Sequence, residues 1–564
     1  DQRRLLYRVC AVLIAMRVVS IFTIDLNATE VAAALGLSGS GGLPWLAQLA
    51  AAWKSVAGTV AGVLRLPSIA ADLAVLLLTI RYCRVNGWGT LSGLLAGFFL
   101  AMAPFGLDEG WRADGTPLLS LGAVSALLLA RIALKSGQVA PAVGSSLIVA
   151  VMTAVSPVTA MLLPAGLYAS ARSVTGQGPK LAVSLGWIAA VLGGIGLRLA
   201  VGGDVAPQST LAVQWLADPA MNAAGASIPT SAVDGFLAAL QTLSPGGPSG
   251  RFAAFLQLAD APTWRVWVGA ALWPLAVVGL WRGQVLADPV IPRGPAVSSA
   301  GGAGAADGWK SLGVAVPTSP RVLGERDWGP LLLGTLVPAG WVAWASVHGR
   351  PDGVTEALAI ARPFACLLLG LGLTALAGMR IGAEDGQRKR FVAMMIAFTL
   401  LQFGLGGHHV LLTTRADDRV APHKIASFIR AEAPAAYTIA LGAAGLAVAY
   451  KLDPWRSSPR VVTASIDPKA ASEAVAAALE ATATHVVIVG DKDAIEGSAF
   501  AAGATNEAAR GAGWLMHGQL TSEGYGVIED GARYLSWFSV RIYEKGDTGG
   551  GMQVRPQLHP GVAP

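Results

Sequence analysis

Charge is what this chain has least of: Asp, Glu, Lys and Arg make up only 13% of its 564 residues, about half the share that soluble globular proteins carry. That deficit excludes an ordinary soluble domain over most of the length. Cysteine is nearly absent as well. The three that occur, Cys10, Cys83 and Cys366, all fall in or beside apolar runs, which argues against a disulfide framework and for packing as small hydrophobes. Heptads, a nucleic-acid-binding motif, Cys/His zinc spacing, a nucleophile elbow and internal repeats are also missing. The lack of a repeat weighs against a transporter, which would want paired inverted repeats and helices broken near the midplane.

What fills the sequence instead is apolar runs. Hydrophobic residues reach 53%, mean hydropathy is +0.54, and stretches of bilayer-crossing length recur up to about residue 411. The first, Leu5 to Ile24, follows Arg3, Arg4 and Arg8 and lacks a small-residue cleavage site, so it reads as a retained helix. Further spans fall at about 67–83, 88–105, 116–134, 141–155, 158–172, 181–201, 264–282, 329–347, 356–379 and 391–411, about eleven helices in all. The pair around Ser156-Pro157 reads either as two spans or as a hairpin that does not fully cross.

Basic residues set the orientation. With the N-terminus inside, the inner turns collect Arg3/Arg4/Arg8, Arg81/Arg84, Arg131/Lys135, Arg172/Lys180, Arg282/Arg293 and Arg380 with Arg388-Lys389-Arg390, as the positive-inside rule requires. The net charge of +6 is therefore expected from these loops rather than from a nucleic-acid surface. An odd number of spans puts the C-terminal part outside. The expected fold class is a polytopic α-helical membrane protein with a C-terminal extracytoplasmic α/β domain.

The expected division is a transmembrane unit over 1–411 with outer loops 25–66 and 202–263, a Gly/Ala/Pro/Ser-rich inner loop at 286–325, an α/β domain at 412–547 and a disordered tail at 548–564. In the first outer loop, Pro44 to Leu64 is amphipathic and carries Trp45 and Trp53, as an interfacial helix would. Beyond Arg415, strands are expected at Tyr437 to Leu441, Val461 to Ala464, His485 to Val489 and Trp537 to Tyr543. A helix over Pro468 to Ala481 would complete a βαβ unit. Val489-Gly-Asp491 ends a strand, but no Gly-rich phosphate loop follows.

The scarce charges are not scattered. Asp108, Glu109, Arg112 and Asp114 crowd into seven residues between two apolar runs, and Asp25 and Glu30 follow the first span on the same expected side. Each acid alone has a structural explanation, a helix cap or a hydrated end; Asp114 near a helix start suits the dipole. Together, carboxylates raise one another's pKa or recruit a cation. Either outcome serves chemistry beside a phosphate leaving group. One acid can act as general base, and an arginine fork or a divalent ion can neutralise the departing charge. Asp108 and Glu109 are the candidate metal ligands, with a divalent cation the candidate cofactor.

Arg65, just before Pro67, can reach headgroup phosphates or simply snorkel. His408-His409 and His348 with Arg350 end other spans, as caps or phosphate contacts. Asp72 and Arg362 lie inside expected spans, where a buried pairing would satisfy both.

These features resemble the GT-C glycosyltransferase superfamily, in the branch of protein O-mannosyltransferases and aminoarabinose transferases. An acid directly after the first helix (Asp25), Arg65-Leu-Pro-Ser-Ile-Ala opening the second, and Pro104 to Asp114 with Arg112-Ala-Asp114 before the next helix carry the resemblance. The resemblance implies transfer of a sugar from a polyprenyl-phosphate donor to a lipid, glycan or protein acceptor at the outer face of the inner membrane, with inversion. It makes Asp25 the catalytic acid/base, with Asp108 or Glu109 as its partner. Arg65, Arg112 and His408 are the candidate donor-phosphate contacts, with Glu30 and Asp114 alongside. The sequence departs from the pattern at Leu26, where relatives commonly place a second acid. The alternatives are a non-catalytic accessory subunit of the same fold or a lipid-linked sugar transporter.

Overall fold

The computed structural model describes residues 52–102, 116–173, 176–200, 231–243, 263–282, 327–348, 353–379, 421–433, 436–455, 460–464, 485–491, 514–521 and 538–545, with Ala11, Leu26, Glu30, Val31 and Ser458. Apart from Ala11, the first expected span lies outside these residues, as do the span at 391–411, the inner loop 286–325, the helix expected at 468–481 and the tail.

The helical part runs α1 (Leu66–Val85), α2 (Gly89–Met102), α3 (Thr116–Ser136), α4 (Val139–Val155), α5 (Leu163–Arg172), α6 (Gln177–Ala200), α7 (Ala232–Thr242), α8 (Thr263–Arg282), α9 (Gly329–Val347) and α10 (Val354–Met379). Five of them (α1, α3, α6, α9 and α10) are long and apolar enough to cross a membrane by length and composition; α2, α4 and α8 hold shorter apolar stretches. Around Ser156-Pro157 the chain forms a 3-10 segment, Pro157–Leu162, that runs straight into α5. Together these make a limb of roughly 27 Å, near the hydrocarbon thickness.

Local chemistry sets the helix ends. Pro67 sits in the first turn of α1, where its missing N–H costs nothing. At the other end Gly87 adopts φ +73°, and the Trp88 amide closes back on the Cys83 carbonyl at 3.0 Å, a left-handed glycine cap. The Asn86 amide adds a bond to the Tyr82 carbonyl at 2.9 Å.

Helix α10 is enclosed along almost its whole length, from Val354 to Leu373, as a helix apolar on all sides must be. It packs on α2, α3, α8 and α9. Its approach to α8 is backbone to backbone: a Cβ placed on Gly279 would stand 1.9 Å from the Gly372 carbonyl oxygen, so the crossing requires glycine. Hydroxyls and an indole tie further neighbours: Ser120 to the Ala359 carbonyl (2.6 Å), Ser92 with Thr374 (2.8 Å) and Trp187 to Ser145 (2.8 Å). Such bonds replace the hydrophobic drive that lipid cannot supply between helices.

The C-terminal part runs α11 (Ala421–Glu432), β1 (Tyr437–Leu441), α12 (Gly442–Leu452), β2 (Val461–Ala464), β3 (His485–Asp491), β4 (Trp514–Thr521) and β5 (Phe538–Lys545), with sheet order β2-β1-β3-β5-β4. Strands β2, β1 and β3 are parallel, and β5 and β4 continue the sheet antiparallel. Helix α12 makes the β1–β2 crossover and lies close on the sheet. A Cβ on Gly445 would come within 2.7 Å of the Val489 carbonyl.

Candidate functional site

Two charges lie seven residues apart at the start of α1, Arg65 as its N-cap and Asp72 inside it. Two helical turns separate them, so they share one face. Each is met by an opposite charge from far along the chain, and all four side chains are buried.

Arg65 meets Glu30. Its Nε donates to Oε1 and its Nη2 to Oε2, both at 2.6 Å, with neither side chain exposed to solvent. This is the two-point fork that arginine and carboxylate geometry favours. Asp72 meets Arg362 of α10, whose Nη1 donates to Oδ1 at 2.9 Å. The Arg362 Nη2 donates to the Leu100 carbonyl at 3.0 Å. Leu100 stands in the last turn of α2, where carbonyls lack an intrahelical partner and the dipole favours a cation. Arg362 therefore pins the end from which the chain departs toward Asp108, Glu109, Arg112 and Asp114.

The C-terminal part closes over the first pair. Leu446 and Tyr450 of α12 form one buried cluster with Leu26, Val31 and Leu64, with Trp53, Ala57 and Ala61 packed against it. Each of those first three residues adjoins a charged residue singled out by the sequence: Asp25, Glu30 and Arg65 respectively. Lys54 reinforces the seam. Its ammonium lies 5.3 Å from the Tyr450 ring centroid and 5.2 Å from that of Trp455, and it donates to the Pro454 carbonyl. Burial, and secondarily the nearby Glu30 carboxylate, push the Tyr450 hydroxyl up to about 12 from its ordinary 10.0.

A third buried arginine belongs elsewhere. Arg131 pairs with Asp327 and donates to Asn86 Oδ1 at 2.9 Å, at the far end of α1, roughly 30 Å from Arg65 by helix length. His348 stacks on Trp344 at 4.5 Å and bonds its carbonyl at 2.8 Å, ending α9 as a cap.

The structure thus brings Glu30 and Arg65 together, and Asp72 and Arg362 pair as the sequence suggests. Asp25, Asp108, Glu109, Arg112, Asp114 and His408 lie outside the described residues. Sequence reading treats Glu30 and Arg65 as separate contributors and misses Lys54 and Tyr450. Spacing between Arg65 and Asp72 was the one available sign of a shared face; nothing local announces Tyr450. Among the described residues no group of three His, Cys, Asp or Glu side chains could hold a metal, and the candidate ligands Asp108 and Glu109 are not among them.

A bundle of apolar helices, five of them long and apolar enough to cross a membrane, is followed by an α/β sheet. Among solved structures, the chain is similar to ArnT from Cupriavidus metallidurans, a crystal structure with undecaprenyl phosphate bound: 98% of this chain and 99% of that one align, at 12% identity and a TM-score of 0.51. The Archaeoglobus fulgidus oligosaccharyltransferase, in complex with Zn and sulfate, aligns over 87% of this chain and 69% of its own, at 10% identity and a TM-score of 0.39. No protein-family model and no curated protein matches the sequence.

Proposed function

We propose that the protein is an integral membrane glycosyltransferase that moves a sugar from a polyprenyl-phosphate donor to an acceptor at the outer face of the inner membrane. The observation that carries this reading is the near end-to-end alignment with a structure holding undecaprenyl phosphate. The charges gathered at the start of α1 support it, because buried ions in a membrane protein are expensive to maintain. About eleven spans and an extracytoplasmic C-terminal α/β domain belong to the same reading.

In the reaction, Asp25 takes the proton of the acceptor hydroxyl as that oxygen attacks the anomeric carbon. The bond to the phosphate oxygen breaks, and the polyprenyl phosphate leaves with the electron pair. Asp108 or Glu109 acts as partner to Asp25, and Asp114 lies in the same loop. Arg112 and His408 neutralise the departing phosphate. Arg65 was grouped with them by position. Since its fork grips Glu30, we assign it to holding the first outer loop against α1.

The test is sugar transfer by purified protein from a polyprenyl-phosphate sugar, with Asp25→Asn beside it. The expected result is transfer by the unaltered protein and none by the variant, at equal thermal stability. Undiminished transfer by Asp25→Asn would refute the assignment of Asp25. A protein that transfers no sugar, with any donor or acceptor class, would favour the accessory-subunit alternative.

A further inference from the structure

The three apolar residues that neighbour Asp25, Glu30 and Arg65 all enter the same cluster, and the C-terminal part supplies that cluster's remaining buried members, Leu446 and Tyr450. Loop segments that bear site residues ordinarily need a rigid support to hold them within a fraction of an ångström. Here the helical bundle supplies one side of the support through the Arg65 fork. The other side comes from α12, which is itself locked to the sheet by the close approach at Gly445.

We propose that Tyr450 is a positioning residue: its ring, seated between Leu26, Val31 and Leu64 and covered by Lys54, lets the C-terminal α/β part hold the first outer loop in register for the reaction. This rests on the transferase reading for its catalytic consequence, though not for the contact itself. The ring does this, not the hydroxyl. Tyr450 is only 3% exposed, and its Oη is a buried polar atom with no hydrogen-bond partner among the described residues. An unsatisfied hydroxyl adds nothing by hydrogen bonding, and its removal is close to neutral. What the ring supplies is apolar area and a face for the Lys54 ammonium.

The experiment compares the full-length protein with Tyr450→Phe, Tyr450→Ala and Lys54→Met, by two readouts. Hydrogen–deuterium exchange of peptides carrying Leu26, Glu30 and Val31 reports the loop, with peptides from α10 as an internal control. Steady-state transfer from a polyprenyl-phosphate sugar reports kcat and donor KM separately. Tyr450→Phe should match the parent protein in both. Tyr450→Ala should speed exchange in the loop peptides alone and lower kcat on the order of 10- to 100-fold, the cost of a misplaced catalytic group, with donor KM little changed. Lys54→Met should fall between them.

If Tyr450→Phe loses as much kcat as Tyr450→Ala, the hydroxyl takes part in the chemistry and the positioning account is overturned. If Tyr450→Ala leaves loop exchange at the parent rate, it is overturned as well. Absence of transfer in the parent protein would refute the transferase reading and still leave the exchange comparison to decide the contact.

Discussion

Two arginine–carboxylate pairs stand on one face of α1, and they differ in what they join. Asp72–Arg362 ties helix to helix, α1 to α10, and spends its second donor on the open carbonyl of α2. Glu30–Arg65 ties a distant helical segment to a helix start and uses both carboxylate oxygens in the tie. The first pair is a fastening inside the bundle; the second fastens something laid against it. A single-point bond suffices where packed helices on all sides already fix the geometry. Where the segment held lies outside those packed helices, the fork constrains angle as well as distance.

The largest effect should come from removing one partner of a buried pair. Arg65→Ala takes from Glu30 the fork that holds both its carboxylate oxygens in an enclosed site, and loss of one member of a buried pair typically costs about 3–5 kcal/mol. Thermal unfolding in detergent or nanodiscs checks it. The comparison sharpens with the double variant Glu30→Leu/Arg65→Met. It should recover most of the lost stability, because an apolar replacement of the whole pair is often neutral. Recovered stability without recovered transfer would show that the pair serves geometry; recovery of both would erase the distinction drawn between the two pairs.

A smaller loss is expected from Asp72→Asn. Asparagine keeps an oxygen for Arg362 Nη1 while removing the countercharge, and Arg362 retains its bond to the Leu100 carbonyl. A drop of about 1–3 kcal/mol follows from the weakened charge-assisted bond, again read by thermal unfolding. Its loop peptides should exchange as in the parent protein. If they exchange faster, the two pairs are one coupled unit.

How much of this was open to inspection in the sequence depends on distance along the chain. Apolar length and flanking arginines placed α1–α6 and α8–α10, since crossing a bilayer leaves few other patterns; α7 falls inside the expected outer loop 202–263. The Asp72–Arg362 pairing was legible for the same reason: opposite charges inside apolar spans have nowhere else to go. Glu30–Arg65 was not, because a loop acid and a helix-start arginine each have sufficient explanations alone. Helix α12 was also missed. Gly442-Ala-Ala-Gly445 has the composition of a weak helix, and only the crossover between β1 and β2, with the close approach of Gly445 to the sheet, makes it one. Likewise, Trp514–Thr521 gave no alternation strong enough to mark β4.

The smallest effect is a titration, and it belongs to one pair only. The Tyr450 hydroxyl is held up to about 12 by burial and by Glu30. In the unfolded chain this hydroxyl ionises near 10.0. Between those two values the unfolded or undocked form releases a proton that the docked form retains. The docked state therefore keeps its full stability below pH 10 and loses it as pH rises toward 12. Difference titration of tyrosinate absorbance, parent minus Tyr450→Phe, should isolate this one group from the chain's other tyrosines. Repeating it on Glu30→Gln should move the transition downward, since the negative charge that opposes tyrosinate is gone. An unmoved transition would mean that burial alone sets it, and that the Glu30 carboxylate does not act on the Tyr450 hydroxyl.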